Sequence, residues 1–175
     1  KTGGLADVLG ALPRALVQLG HEVDVLIPKY RGTPEGEPMG TLRIGPDHRA
    51  STVRVSAVRA AGVRTLFVDQ PAYFDRDGLY GSAGQDYPDN PERFGCLARA
   101  AVAWMAAGSP YDVVHAHDWQ AGLVPVLLAS GTAPVPVATV FTIHNLAYQG
   151  LFDASWLPRL GLGAGLMGVN GIEYW

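Results

Sequence analysis

The chain has only one cysteine among its 175 residues and no apolar run long enough to cross a membrane. Cys96 has no second cysteine with which to form an internal disulfide, and such cysteine-poor chains are typical of reducing compartments. A membrane-spanning helix needs about 18 or more consecutive apolar residues, and no leader of charged and then apolar residues opens the sequence. These absences predict a cytoplasmic protein that does not contact a membrane.

The net charge of the chain is also small. The 13 basic and 16 acidic residues give a formal net charge of -3, and the arginines are scattered rather than massed in one stretch. Nucleic acid and anionic membranes attract proteins with a strong basic patch, so neither is an expected partner. Any phosphate group must therefore be bound by a few local residues. The 48% hydrophobic content is typical of a folded globular domain.

The spacing of the apolar residues predicts an α/β fold with a parallel sheet. Apolar residues recur every three or four positions between the Gly3-Gly4 pair and Gly20, which predicts a helix that kinks or restarts near Leu12 because of Pro13. In the first half of the chain, the other predicted elements are a strand over 23–27, a loop over 29–47 with at most a short strand at 42–44, a hairpin of 51–59 and 63–68, and a second long loop over 69–90. In the second half, they are a helix from Asn90 onward, a strand over 112–117, a helix over 122–129, a buried strand over 135–143 and a loop over 160–171.

A cation and two glycines stand at the start of the first predicted helix. Free backbone amides and the helix dipole favour an anion there, and glycine lets a ligand approach the backbone closely. Lys1, Gly3 and Gly4 are therefore candidates for phosphate binding, although an ordinary helix-entry turn with a solvated lysine explains them equally well. Since a turn of this kind normally follows a strand, we expect residues 1–175 to be one partial domain that is truncated at both ends.

Polar side chains collect where two of the predicted strands end. His117, Asp118 and Trp119 close the first of these strands, and His144 and Asn145 follow the second. Ligands of open α/β sheets bind at the carboxyl ends of the strands, so the two polar ends predict one shared cleft.

A metal site is an alternative use of the same residues. His115, His117, Asp118 and His144 carry ligand atoms that zinc accepts, which leaves a metal-dependent hydrolase open. No cysteine or further acidic cluster completes the set, and the same groups serve equally well as hydrogen-bonding partners of a polar ligand. His115 taken alone is best explained as a hydrogen-bonded histidine of the core.

Tyr87 precedes the helix that starts at Asn90-Pro91-Glu92. Asn is a common helix cap, proline suits the first turn, and the glutamate faces the positive end of the dipole. Tyr87 either stacks on a sugar through the apolar face of its ring or simply covers the helix end. The residues alone leave both interpretations open.

Four segments of the chain resemble segments of bacterial glycogen synthases and the soluble starch synthases of plants. The most specific is KTGGLADV at residues 1–8, which is similar to the family pattern Lys-x-Gly-Gly-Leu-Ala-Asp-Val. DYPDNPERF at 86–94, HAHDWQAGLVP at 115–125 and FTIHNLAYQG at 141–150 follow in the family's order. Together they span almost the whole chain.

This resemblance implies a Rossmann-like parallel sheet, namely the N-terminal lobe of a GT-B-type glycosyltransferase. It implies retaining transfer of glucose from ADP-glucose to the 4-hydroxyl at the non-reducing end of an α-1,4-glucan, with no metal and no cofactor. The implied catalytic residues are His144 and Asp118. The implied substrate-binding residues are Lys1, Gly3 and Gly4 at the donor phosphates, Asp7 near the donor or acceptor, and Tyr87, His117, Trp119 and Asn145 around the sugar.

The resemblance also implies a C-terminal nucleotide-binding lobe that has no counterpart in these residues, so we expect the 175-residue chain alone to have negligible transferase activity. A non-catalytic glucan-binding module remains a second alternative. A nicotinamide-dependent dehydrogenase is disfavoured because Gly3-Gly4 lacks the three-glycine spacing of that site.

Overall fold

The computed structural model of the protein describes residues 3–45, 50–108, 110–130, 135–168 and 171–172. The predicted α/β fold is confirmed. Within the described residues, no helix combines the length and the apolar character needed to cross a membrane. The strands are β1 (Asp24–Pro28), β2 (Glu37–Ile44), β3 (Ser51–Ala60), β4 (Val63–Asp69), β5 (Gly81–Ser82), β6 (Gln85–Asp86), β7 (Val113–His117) and β8 (Ala138–Thr142). The helices are α1 (Gly3–Gln18), α2 (Pro71–Phe74), α3 (Asn90–Ala106), α4 (Asp118–Ala121), α5 (Leu123–Ala129) and α6 (Trp156–Arg159), followed by a 3-10 turn, Ala164–Leu166.

The larger sheet is mixed rather than parallel. Its strand order is β1-β4-β3-β2, in which β1 pairs with β4 in parallel and β3 pairs antiparallel with both β4 and β2. The chain reverses between β3 and β4 at Ala61 and Gly62, whose φ values of 50° and 79° suit a tight two-residue hairpin turn. The expected parallel sheet is therefore wrong for this half of the molecule. β2 is also longer than the short strand predicted at 42–44, because it pairs with most of β3.

α1 packs on the parallel pair β1 and β4. It is one continuous helix from Gly3 to Gln18 with Pro13 inside it, so the restart that was one of the two effects predicted near Leu12 does not occur. Proline removes one backbone donor, but the Pro13 ring is buried and its apolar contacts offset part of that cost.

The smaller sheet contains β7 and β8, which pair in parallel over their full length. Helices α4 and α5 connect them, which confirms the predicted βαβ order. β8 and the residue after it are more exposed than the apolar composition of 135–143 predicted: Val140 and Phe141 of β8 and the following Ile143 keep between 43% and 53% of their surface accessible. Among the described residues β8 has a strand neighbour on one side only.

α3 lies between two apolar clusters. One side, including Phe94 and Cys96, packs against Val68 and Phe74 near the larger sheet, and Cys96 is buried as predicted. The other side packs against α5 and the segment after it. The loop predicted over 160–171 therefore belongs partly to the core: it contains the short 3-10 turn, and Leu160 and Leu162, like Leu157 before it, are buried against α3 and α5.

The long segment between β4 and α3 is organised by Arg93. The buried guanidinium donates hydrogen bonds to the backbone carbonyls of Tyr73 (2.7 Å) and Leu79 (3.0 Å) and to Oδ1 of Asn90 (2.6 Å). Asn90 itself donates from Nδ2 to the carbonyl of Tyr80 at 2.9 Å. Its predicted capping role is wrong, since the cap position falls one residue earlier. The segment holds α2 and the β5–β6 hairpin instead of a featureless loop.

Candidate functional site

The two polar strand ends predicted from the sequence meet in one cluster. β7 and β8 end side by side, because His117 is paired with Thr142 in the sheet register. Nδ1 of His117 lies 3.0 Å from Nε2 of His144, and the two rings are stacked with an interplanar angle of 17°. We refer to His115, His117, His144, Asp118 and Thr142 as the histidine cluster.

Asp118 fixes the backbone of His144. Its Oδ1 accepts a hydrogen bond from the backbone N–H of His144 at 2.7 Å. Asp118 begins α4 directly after β7 and has a φ of 55°, in the left-handed region that non-glycine residues other than Asn and Asp rarely enter. Backbone strain of this kind is concentrated at functional sites, where the surrounding structure holds it in place.

His115 is exposed at the edge of the cluster. Its ring stacks on that of His117 with centroids 4.1 Å apart, and its Nε2 lies 2.7 Å from Oγ1 of Thr142. The prediction that His115 is a core histidine is wrong. His115 and His117 lie on one face of β7, as strand alternation predicts. At His115 that face of the strand is exposed to solvent.

His117 carries no charge at neutral pH. Its partial burial, followed by the neighbouring imidazoles of His115 and His144, lowers its pKa to about 4. Two protonated imidazoles would place two N–H donors against each other across the 3.0 Å contact, whereas a neutral His117 allows one proton to be shared as a hydrogen bond. Since Nε2 of His144 is engaged in this bond, Nδ1 is the ring nitrogen of His144 that this contact leaves for another partner.

Within the described residues, no group of three or more His, Cys, Asp or Glu side chains has an arrangement that would hold a metal ion. Nδ1 of His117 and Nε2 of His144 face each other in a hydrogen bond, and Oδ1 of Asp118 accepts a hydrogen bond from the backbone N–H of His144. The structure therefore gives the metal-dependent hydrolase hypothesis no ligand set in this part of the chain.

Trp119 connects the cluster to the core and to the segment after β8. Its ring meets Phe94 edge-on with centroids 4.9 Å apart and lies 5.4 Å from the ring of Phe152. Gly150 is so close that a Cβ atom there would come within 2.6 Å of the indole. Trp119 thus holds the segment that carries His144 and Asn145 against α3.

Asn145 and Tyr87 make local contacts. Oδ1 of Asn145 accepts a hydrogen bond from the backbone N–H of Ala147 at 3.0 Å and so shapes the turn after His144. The guanidinium groups of Arg76 and Arg93 each lie 4.8 Å from the centroid of the Tyr87 ring, and the Tyr87 hydroxyl accepts a hydrogen bond from the N–H of Gly78. Tyr87 therefore packs into the segment that Arg93 organises, which favours the covering role left open above.

The N-terminal candidates lie at the start of α1. Helix α1 begins at Gly3, as predicted, and a Cβ atom at Gly4 would meet nothing within 4 Å. Asp7 is exposed in the second turn. Lys1 lies outside the described residues.

Tyr80 and Thr142 were not identified as site residues from the sequence. Burial raises the pKa of the Tyr80 hydroxyl, and the carboxylate of Asp118 raises it further, which places Tyr80 within electrostatic reach of the cluster. Tyr80 was visible in the sequence only as one of several aromatics in a loop. Thr142 carries a signal through its position, since it is the polar residue that ends β8, two residues before His144.

Comparison with known proteins places these features in a family. The family model described as starch synthase catalytic domain matches residues 1–175. The glycogen synthase of Koribacter versatilis is 44% identical to the whole of this chain, and that of an Anaeromyxobacter strain is 50% identical over 93% of it. The aligned part makes up 38% and 35% of these two relatives, so this chain spans little more than a third of their length.

A solved structure shows the same fold. The catalytic domain of Starch Synthase IV from Arabidopsis thaliana, bound to ADP and acarbose, superposes with a TM-score of 0.83 at 29% sequence identity. The superposition covers 95% of this chain and 36% of the plant protein.

Proposed function

Because this chain belongs to the starch synthase catalytic domain family, we propose that it is the N-terminal, acceptor-side lobe of a GT-B-type glycogen synthase. The reaction is transfer of glucose from ADP-glucose to the 4-hydroxyl at the non-reducing end of an α-1,4-glucan, with retained configuration. The observation that carries the proposal is the histidine cluster, in which His117 and Asp118 of one family motif contact His144 of another.

ADP-glucose and an α-1,4-glucan are supported as ligands by relatives. The plant starch synthase domain was bound to ADP and acarbose, and the bacterial relatives are glycogen synthases. The nucleotide base is expected to contact the second lobe, so adenine rather than uracil rests on this likeness alone.

His144 is the proposed catalytic residue that touches the glucose. Positive charge builds on the sugar carbon as the bond to the leaving phosphate breaks, and a fixed imidazole beside the ring orients the hydroxyls and stabilises that charge. Asp118 holds the backbone of His144 and adds a carboxylate beside the same position. Retention then follows a front-face route, in which the leaving phosphate accepts the proton of the acceptor hydroxyl.

Lys1, Gly3 and Gly4 are the proposed phosphate-binding residues, with Asp7 toward the donor or acceptor. The first turn of a helix has backbone N–H groups without an intrahelical acceptor, and α1 adds the positive end of a 16-residue helix dipole. Open space at Gly4 is consistent with a ligand close to the backbone. His117, Trp119 and Asn145 shape the sugar pocket; contact of Tyr87 with the sugar stays a prediction.

A continuous Rossmann-like sheet is also part of the proposal. β1 and β7 each have a strand partner on one side only among the described residues. The Tyr111 hydroxyl, just before β7, donates a hydrogen bond to the carboxylate of Asp24 at the start of β1. Tyrosine and aspartate side chains together reach across about two strand spacings of 4.8 Å, so one parallel strand placed before α1 would join the two sheets.

A segment exchange tests the function. Residues 1–175 replace the matching segment of the Koribacter versatilis glycogen synthase, and glucose incorporation into a glucan primer is measured from labelled ADP-glucose and UDP-glucose. Transfer from ADP-glucose that is lost in His144→Ala supports the proposal. A folded hybrid that binds glucan and transfers from neither donor contradicts it and favours the binding module.

A further inference from the structure

We propose that His117 is a positioning residue: its imidazole orients the ring of His144 and fixes which nitrogen of that ring faces the substrate. The inference rests on the proposed function where it concerns catalysis, and on the structure alone where it concerns the two rings. It moves His117 from a sugar-binding role to one exerted through His144.

His144 is held at two points by the same short segment. Asp118 binds its backbone N–H at 2.7 Å, and His117 binds its Nε2 at 3.0 Å. A backbone contact leaves the side-chain torsions of a residue after a strand free to rotate, so the ring needs its own partner. Among the described residues, the hydrogen bond that the structure shows to the His144 ring comes from His117.

His117 is itself kept in place. It is the last residue of β7, it is paired with Thr142 of β8, and its ring is covered by that of His115 at 4.1 Å. The strand sets the direction of the His117 side chain. Because the residue is half-buried, water competes less for its hydrogen bond to His144. A rigid neighbour of this kind is what a ring needs in order to hold one orientation.

The bond also couples the tautomers of the two rings. One proton lies between Nδ1 of His117 and Nε2 of His144, so the protonation of one nitrogen determines that of the other. The neutral state of His117 keeps this arrangement intact at neutral pH, which agrees with its lowered pKa of about 4. With Nε2 of His144 held by His117, Nδ1 is the nitrogen of the ring that is presented to the sugar.

Three variants of the 175-residue chain separate positioning from bulk packing. His117→Asn keeps a hydrogen-bonding group near the position of Nδ1, His117→Leu removes it, and His115→Phe keeps a ring stacked on His117 without its nitrogens. Ring nitrogen NMR shifts of His144 are recorded in chain labelled with 15N-histidine. We expect them to move in His117→Leu and to stay near the wild-type values in His117→Asn and His115→Phe.

Unchanged His144 shifts in a folded His117→Leu would overturn the proposal. Should that variant lose its folded amide spectrum, the wild-type chain still gives an answer, since a scalar coupling across the hydrogen bond is expected between Nδ1 of His117 and Nε2 of His144. If the signals of both nitrogens are observed and that coupling is absent, the proposal is also overturned.

Kinetics in the hybrid enzyme complete the test. We expect His117→Leu to lower kcat about tenfold to a hundredfold with KM for ADP-glucose changed by about twofold or less, and His117→Asn to recover most of kcat. A rise in KM with unchanged kcat would assign His117 to sugar binding instead. If no form of the hybrid transfers glucose, the proposed function fails while the NMR result on the two rings stands.

Discussion

The carboxylate of Asp118 and the backbone N–H of His144 are joined by a 2.7 Å hydrogen bond that ties the end of β7 to the end of β8. Because Asp118 also has a φ of 55°, its side chain and its backbone conformation are both specified. Asp118→Asn retains an acceptor and tolerates this φ, so we expect a loss of unfolding free energy of about 1 kcal/mol or less. Asp118→Ala should lose about 2 to 3 kcal/mol, measured by urea denaturation. Equal stability of the two variants would contradict this role.

Gly150 is expected to be intolerant of a side chain. Its φ is 64°, and a Cβ atom would lie 2.6 Å from the Trp119 ring. Gly150→Ala should therefore lower stability by more than backbone strain alone, which costs about 1 kcal/mol. Gly84→Ala is the matched control, because Gly84 has a φ of 80° and open space around the added atom. Similar losses in the two variants, measured by denaturation, would mean that the indole moves aside without cost.

Arg93 should be among the most sensitive positions for folding. Arg93→Leu leaves two carbonyls and the amide oxygen of Asn90 without their donor, and we expect a loss of about 3 kcal/mol or more. Arg31 pairs with Asp75 and Asp77 at the surface, with 54% of its side chain exposed, so water screens these pairs and Arg31→Gln should lower stability much less than Arg93→Leu. Denaturation midpoints compare the two, and a larger loss at Arg31 would refute the assignment.

The thiol of Cys96 should be inert in the folded protein. Burial raises its pKa to about 12, and the reactive species is the thiolate. We expect no labelling by a thiol reagent at pH 8 in buffer and complete labelling in denaturing urea. Rapid labelling of the folded chain would show that α3 opens readily.

Acid should destabilise the protein through His117. Its pKa is about 4 in the folded state and near 6.5 when unfolded, so the unfolded chain binds more protons between these values. Stability is expected to be retained above pH 6.5 and to fall as the pH drops toward 4. His117→Asn has no such group, and the slope of its melting temperature against pH in this window should be shallower. Parallel slopes in the two proteins would contradict the lowered pKa.

The sequence predicted the convergence at the strand ends but not the packing of the segment before α3. Apolar strands that stop at His117 and near His144 give a local signal, and parallel pairing brings their ends together. Arg93 carries no such signal, since an arginine in a helix pattern is usually solvated, and its partners Tyr73 and Leu79 are 20 and 14 residues away. Asn90 was misassigned for the same reason: its capping propensity is local, whereas its observed partners are set by tertiary contacts.

The sheet topology was only half predictable. The hairpin of β3 and β4 was identified from alternation, yet its consequence, an antiparallel half-sheet, conflicts with the parallel arrangement that the βαβ order implied. The exposure of Val140 and Phe141 likewise depends on which elements cover β8, and composition does not report that.

The decisive measurement is the rate of glucose transfer from ADP-glucose to a glucan primer by the hybrid enzyme, compared with the same hybrid carrying His144→Ala. We expect transfer by the hybrid and a rate about a hundredfold to a thousandfold lower in His144→Ala. The control is His21→Ala, which removes an exposed histidine and should leave the transfer rate unchanged. Equal rates with and without the His144 imidazole would contradict the assignment of the histidine cluster as the site of glucose transfer.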